Sequence, residues 1–265
     1  MKTIPLAKVI ALSLLLFSFS YSGLSLAQTK TVFLLLQEKL DTQGRQLAIE
    51  PGLQEIIRYF ELHTGLKLEP KLMPWNRAQY LAINGDGIIF GLSKSPERLN
   101  KFDYSEPLTK ENVWAISYGE KAKPYRTPED LKSKLVSIGR GFSHGMAFEE
   151  ARQNKLFQVQ EDSASESARF RKLSSGRSDI MLWPVRHLKN SNEVTHYIRN
   201  ELIPSFHDDQ LDTAKFHVSI QPIFYDTLHF AAAKGKFASE LNLLNKAIIS
   251  GKKQGQLEKL MANFN

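Results

Sequence analysis

Two rhythms of apolar residues alternate along the chain. Thr31 to Gln37 (TVFLLLQ) is an unbroken apolar run of strand length, the pattern of a strand buried on both faces. From Pro51 to Thr64 the period changes. Leu53, Ile56, Ile57 and Phe60 recur at helical spacing, with Pro51 at the start and Gly65 just past the end. Leu66 to Met73 then predicts a strand ended by Pro74, Asn76 to Asn84 a short helix closed by Gly85, and Gly87 to Leu92 a third strand.

Val113 to Tyr118 predicts another strand, followed by a Gly-, Lys- and Pro-rich stretch from Gly119 to Pro128 that reads as a connection. The alternation then restarts. Thr127 caps a short helix, Leu135 to Gly139 is a strand, and Gly141-Phe142-Ser143-His144-Gly145 leads into a helix ending near Asn154. Phe157 to Gln160 is a strand, Ser163 and Glu166 form a capping box for a helix to Ser175, and Ile180 to Trp183 is a strand. Residues 185–215 fit helix or loop. Leu228 to Lys234 predicts a strand, and Phe237 to Ser250 and Gln256 to Phe264 predict helices. Strands alternating with helices predict an α/β fold with mostly parallel sheets, and two series about one joint predict two lobes. Ligands of such sheets bind beyond the carboxyl ends of the strands, so the residues there are the ones to weigh.

The first residues break this pattern. Lys2 and Lys8 precede an apolar stretch from Val9 to Phe19, then small residues and Ser25-Leu26-Ala27, the layout of a secretory signal peptide over residues 1–27. The stretch is too short to span a membrane. Cleavage of the 265-residue chain after Ala27 would leave 238 residues, and loss of two lysines would lower the formal charge from +7 to +5. A soluble, exported product is therefore expected. The chain has no cysteine, which excludes disulfides, thiolate metal sites and cysteine nucleophiles. Its histidines show no metal-ligand spacing, and no basic run interleaves with aromatics, so neither a metal, a cofactor nor nucleic acid is expected.

One stretch carries more information. GDGIIFGLSKSPERLNKFDYSEPL, from Gly85 to Leu108, resembles the signature of bacterial periplasmic solute-binding proteins of family 3, best known for amino-acid uptake. LKSKLVSIGRGFS (Leu131 to Ser143), SSGRSDIML (Ser174 to Leu182) and the C-terminal strand with its two helices are similar to further segments of that family, in the same order. MPWNRA (Met73 to Ala78) suggests a divergent branch. The resemblance implies a periplasmic-binding-protein-like fold: two α/β lobes joined by two hinge strands that close over a ligand. Lobe one would comprise 28–115 plus 224–265, and lobe two 119–221.

The resemblance implies that Arg98 grips a ligand carboxylate, which suits a guanidinium fork. It also implies ligand-facing donors at Ser93 and the Gly91 amide, with an ordinary loop serine the competing reading. Ser143 would either bind ligand or cap its helix; Arg140 and His144 beside it are expected to be solvated. Trp75 offers a flat apolar face or packs beneath a loop. Arg77 is a second anion contact, and Glu38 a partner for an ammonium or a solvated loop acid. Phe90 stands where the family often has a small polar residue, and Pro184 where amino-acid binders usually carry an acid. An unpaired ammonium in a closed cleft is costly, so an ordinary α-amino acid is in doubt. The expectation is a non-catalytic, monomeric periplasmic protein that captures a small carboxylate-bearing solute, amino-acid-like or not. It would deliver this solute to an ABC-type permease or a membrane sensor. A dehydratase-like enzyme of the same fold and a non-binding periplasmic adaptor are the alternatives.

Overall fold

The computed structural model describes residues 30–41, 43–121, 123, 125–162 and 165–262. The expected signal peptide and Ser163 lie outside the described residues. Strand β1 (Thr31–Gln37) leads into helix α1 (Pro51–Thr64), which buries Leu53, Ile56, Ile57 and Phe60 on one face. Gly65 stops the helix at φ 71°, its N–H returning to Glu61 O. Next come β2 (Lys67–Met73), α2 (Trp75–Asn84), β3 (Ile88–Ser93), the short α3 (Pro96–Leu99) and β4 (Phe102–Tyr104). The long β5 (Thr109–Tyr118) follows.

A second series comprises β6 (Leu135–Gly139), α4 (Met146–Gln153), β7 (Gln158–Asp162), α5 (Glu166–Ser174) and β8 (Ile180–Val185). Ser165, not Ser163, caps α5, its hydroxyl accepting from Ala168 N–H at 3.4 Å. The ambiguous stretch 185–215 holds α6 (Ser191–Tyr197), running on into a π-helical turn at Ile198–Leu202. Then β9 (Phe216–Val218), the long β10 (Phe224–Ala233), α7 (Ala238–Lys253) and α8 (Gln256–Ala262) complete the described chain. Among the described residues no helix is long and apolar enough to cross a membrane.

The strands form one sheet in the order β2-β1-β3-β10-β5-β8-β6-β7, with β4 on β10 and β9 on β5. The expectation of mostly parallel pairing is corrected. β1 pairs in parallel with β2 and β3, and β6 with β7 and β8, but every pairing made by β5 and β10 is antiparallel. Parallel neighbours need a crossover helix between them, and β5 and β10 are reached by connections without one. These two strands also pair with each other, from Phe224 opposite Val113 to Leu228 opposite Thr109.

The apolar core divides at the same strands. Phe60, Phe90, Leu108, Phe230 and Leu244 fall in one cluster, and Leu35, Ile89, Leu92 and Phe102 in a second on the other sheet face. Val113, Phe148, Phe157 and Phe224 form a third, and Trp114, Phe170, Trp183 and Phe216 a fourth. The first two belong to the β1–β4 series and the last two to the β6–β8 series, so each α/β lobe is packed on its own aromatics.

Candidate functional site

The seam between the lobes is built from α2, the end of β3 and α3 on one side, and the turn from Gly139 to Gly145 on the other. Arg98 Nη2 donates to Gly141 O at 2.7 Å, and Gln79 Nε2 donates to the same oxygen at 3.1 Å. Ser93 Oγ donates to Ser143 O at 3.2 Å. Trp75 meets the edge of Phe142 at 6.5 Å between ring centroids. The turn can approach this closely because residue 141 is glycine. Its φ is 73°, and a Cβ there would fall 1.8 Å from Asn76 Oδ1.

Arg98 is half-buried, and its side chain turns inward. Besides Gly141 O, its guanidinium donates to Ser93 O at 3.1 Å and to Gln79 Oε1 at 2.9 Å. All three acceptors are uncharged, and no ion pair to Arg98 forms among the described residues. Desolvation pulls its pKa below the usual value, opposed by the fields of Tyr104, Glu149 and Asp226. Tyr104 OH adds a second donor to Ser93 O at 3.3 Å. Gly91 supplies the local geometry: at φ 84° it is the residue bulged out where β10 slips register between His229 and Phe230.

Asp226 adds a buried carboxyl to the seam. It comes from β10 and is 6% exposed. Oδ1 accepts from Thr227 N–H at 2.7 Å, and Oδ2 has no hydrogen-bond partner. Burial pushes its pKa up to about 6, against the nearby Ser93 hydroxyl, the Thr227 amide and the Arg98 charge. Glu111 sits directly opposite it on β5. Arg186 Nη1 donates to Glu111 Oε1 at 2.9 Å, yet burial still carries that carboxyl to about 7. Gly145 brings the lobe-two turn against Asp226, since a Cβ at 145 would stand 2.8 Å from Oδ1.

Several expectations are corrected here. Ser143 does not cap a helix. The helix begins at Met146 with Gly145 before it, and Ser143 Oγ is buried without a partner. His144 is not solvated; it is 1% exposed, held edge-on to Phe148 at 5.2 Å. Phe90 makes no polar-site substitute, because it packs in the lobe-one core against Phe230. Arg140 is exposed. The structure thus brings together Arg98, Ser93, Trp75 and Ser143, with Gly91 shaping the strand end. Arg77 instead lines an outer groove of about 450 Å³ with Lys71, Met73 and Leu81. Glu38 lies half-buried at the end of β1, its N–H bound to Met73 O at 2.9 Å. Asp226 and Gln79 were missed. The sequence signal for Asp226 was available, since it alternates with Phe224 and Leu228 on the inward face of β10.

No family model matches the chain, and no curated protein matches it in sequence. Solved structures do. It is similar to an ancestral arginine-binding protein bound to arginine, at 19% identity and a TM-score of 0.63, over 89% of this chain and 98% of the other. The fold is that of the periplasmic binding proteins. A histidine kinase sensor domain with similarity to such proteins aligns at 17% identity and TM-score 0.65, over 89% and 96% of the two chains. An ancestral amino-acid-binding protein, described as a precursor of cyclohexadienyl dehydratase, aligns at 20% identity and 0.60, over 87% and 92%. At such identities the likeness speaks for the fold alone.

Proposed function

We propose that this is a non-catalytic solute-binding protein that takes a small carboxylate-bearing solute, amino-acid-like in form, between its two lobes. The observation that carries the reading is Arg98: an inward-turned cation at the seam whose acceptors are all neutral oxygens. A solute carboxylate would replace Gly141 O with a charged, bidentate acceptor, a stronger partner than a carbonyl. Asp226 answers the doubt raised by Pro184. Its unbonded Oδ2, at the same seam, is the acid that would meet an ammonium.

Entry requires the lobes to part about β5 and β10, with lobe one at 28–115 plus 224–265 and lobe two at 119–221. Export through the N-terminal segment into a periplasm fits this role. So does delivery to a membrane partner, since the similar structures include the substrate-binding protein of an amino acid ABC transporter and a kinase sensor domain. A thermal-shift screen of amino acids, other carboxylates and neutral sugars tests the reading, because a ligand that binds only the native state raises its melting temperature. Stabilisation by carboxylate-bearing compounds is expected. Arg98→Ala should then weaken the best of them about a hundredfold or more, as two charge-assisted hydrogen bonds are lost. A response to sugars alone, or an unchanged affinity in the variant measured by calorimetry, overturns it.

A further inference from the structure

Of the buried side-chain polar atoms without a hydrogen-bond partner among the described residues, four belong to residues of the seam: Ser143 Oγ, both ring nitrogens of His144, and Asp226 Oδ2. Buried polar atoms are almost always paired, so such a concentration marks where another molecule's atoms belong. Two of the four belong to one imidazole. His144 stands between glycines 141 and 145, both in the left-handed region, on the turn that closes against Ser93 and Asp226. Its ring neighbours, Phe142 at 6.4 Å and Phe148 at 5.2 Å, offer no polar atom.

The ring is also held uncharged. Burial comes first, then the charges of Arg169 from α5 and Arg98 from lobe one, and together they pull its pKa to about 3. A neutral imidazole presents one donor and one acceptor. We infer that His144 reads the solute, hydrogen-bonding an uncharged polar group such as a carboxamide or hydroxyl that the solute carries beside the carboxylate taken by Arg98. This inference rests on the seam being the binding site.

Charge decides against the alternatives. A second cationic group at the ring would meet the repulsion of both Arg98 and Arg169. A second carboxylate would face Asp226 without a free counter-ion, because the solute's first carboxylate answers Arg98. Arg169 turns its Nη2 to the lobe-two backbone, donating to Ser137 O at 3.3 Å and Leu182 O at 2.8 Å within the fields of Glu166 and Asp162, and keeps only Nε unpartnered. A group that both donates and accepts fits the ring without adding charge.

Calorimetry on the full chain with two near-isosteric pairs, asparagine against leucine and glutamine against homoleucine, tests this directly. The amide of at least one pair should bind about tenfold or more tightly than its alkyl partner, the scale of one buried hydrogen bond. His144→Phe should abolish that preference and His144→Gln should retain part of it, while Arg98→Ala weakens both members alike. Ring-nitrogen NMR of histidine-labelled wild type gives a readout free of any folding defect: the amide probe should shift a His144 nitrogen, and the alkyl probe should not. Equal affinity within both pairs, with Arg98→Ala still weakening binding, sinks the role of His144 and leaves the seam site standing. No binding of any of the four compounds to wild type sinks both.

Discussion

Two inward-turned arginines set the interior of lobe two apart from the seam. Arg169 donates to Ser137 O on β6 and Leu182 O on β8. Those strands pair only at Val136 with Ile180 and Ser137 with Met181, so the guanidinium fills the gap where they diverge. Arg98 also donates only to neutral oxygens, but Gln79 and Ser93 belong to its own lobe and Gly141 to the other. The same side chain with the same kind of acceptor is a staple where the scaffold is continuous. It is a detachable contact where two bodies meet. Burial and hydrogen bonding alone do not tell these two arginines apart; the lobe that supplies the acceptors does.

The comparison can be broken most sharply at Arg169. Arg169→Met should lower stability by about 3 kcal/mol in chemical denaturation, since two buried carbonyls lose their donor. The affinity of the folded fraction for the best carboxylate should change less than about threefold. A stability loss under about 1 kcal/mol would remove the distinction.

Asp226 sharpens it through pH. In the folded protein burial pushes this carboxyl up to about 6, from an ordinary value of 3.8. Folded protein therefore holds the proton more tightly, and its stability falls as pH rises through that window. Asp226→Asn carries no such penalty. Its stability relative to wild type should grow by about 2 kcal/mol between about pH 4 and pH 7. Glu111, raised like Asp226, and His144, which acts with the opposite sign, largely cancel in the subtraction. A flat difference across that range would mean that Asp226 is solvated at the seam.

The smallest effect is expected at Gly141. Gly141→Ala adds left-handed strain of about 1 kcal/mol and sets a methyl group against Asn76 Oδ1. The seam should open rather than the lobes unfold, giving a larger radius of gyration by X-ray scattering with nearly unchanged far-UV dichroism. Adding Asn76→Ala should restore the compact form. Persistence of the wild-type radius in the single variant would show that the turn yields instead.

Local pattern made much of this architecture legible. α1 and β1 run where their periodicity predicts, because apolar spacing and a terminal glycine are local signals. Arg98 was legible through its surrounding motif. His144 was not, since a histidine in a Gly-rich turn reads as solvated until lobe one covers it. Asp226 lies 128 residues beyond Arg98 in the chain, and only the bulged pairing of β10 with β3 brings it beside Ser93. The antiparallel pairing of the hinge strands was missed for a related reason: period tells strand from helix, but not the direction of the neighbour.

Because β5 and β10 are laddered to each other as well as to each lobe, the lobes are linked by a ribbon rather than by two loose cords. A ribbon bends readily across its face and resists shear in its plane. Parting of the lobes is thereby confined to a single swing, with no backbone ladder broken on the way. Amide protons of Val113 and Leu228 should exchange equally slowly with deuterium in gaping and shut forms, while those of the Gly141 turn should report each excursion.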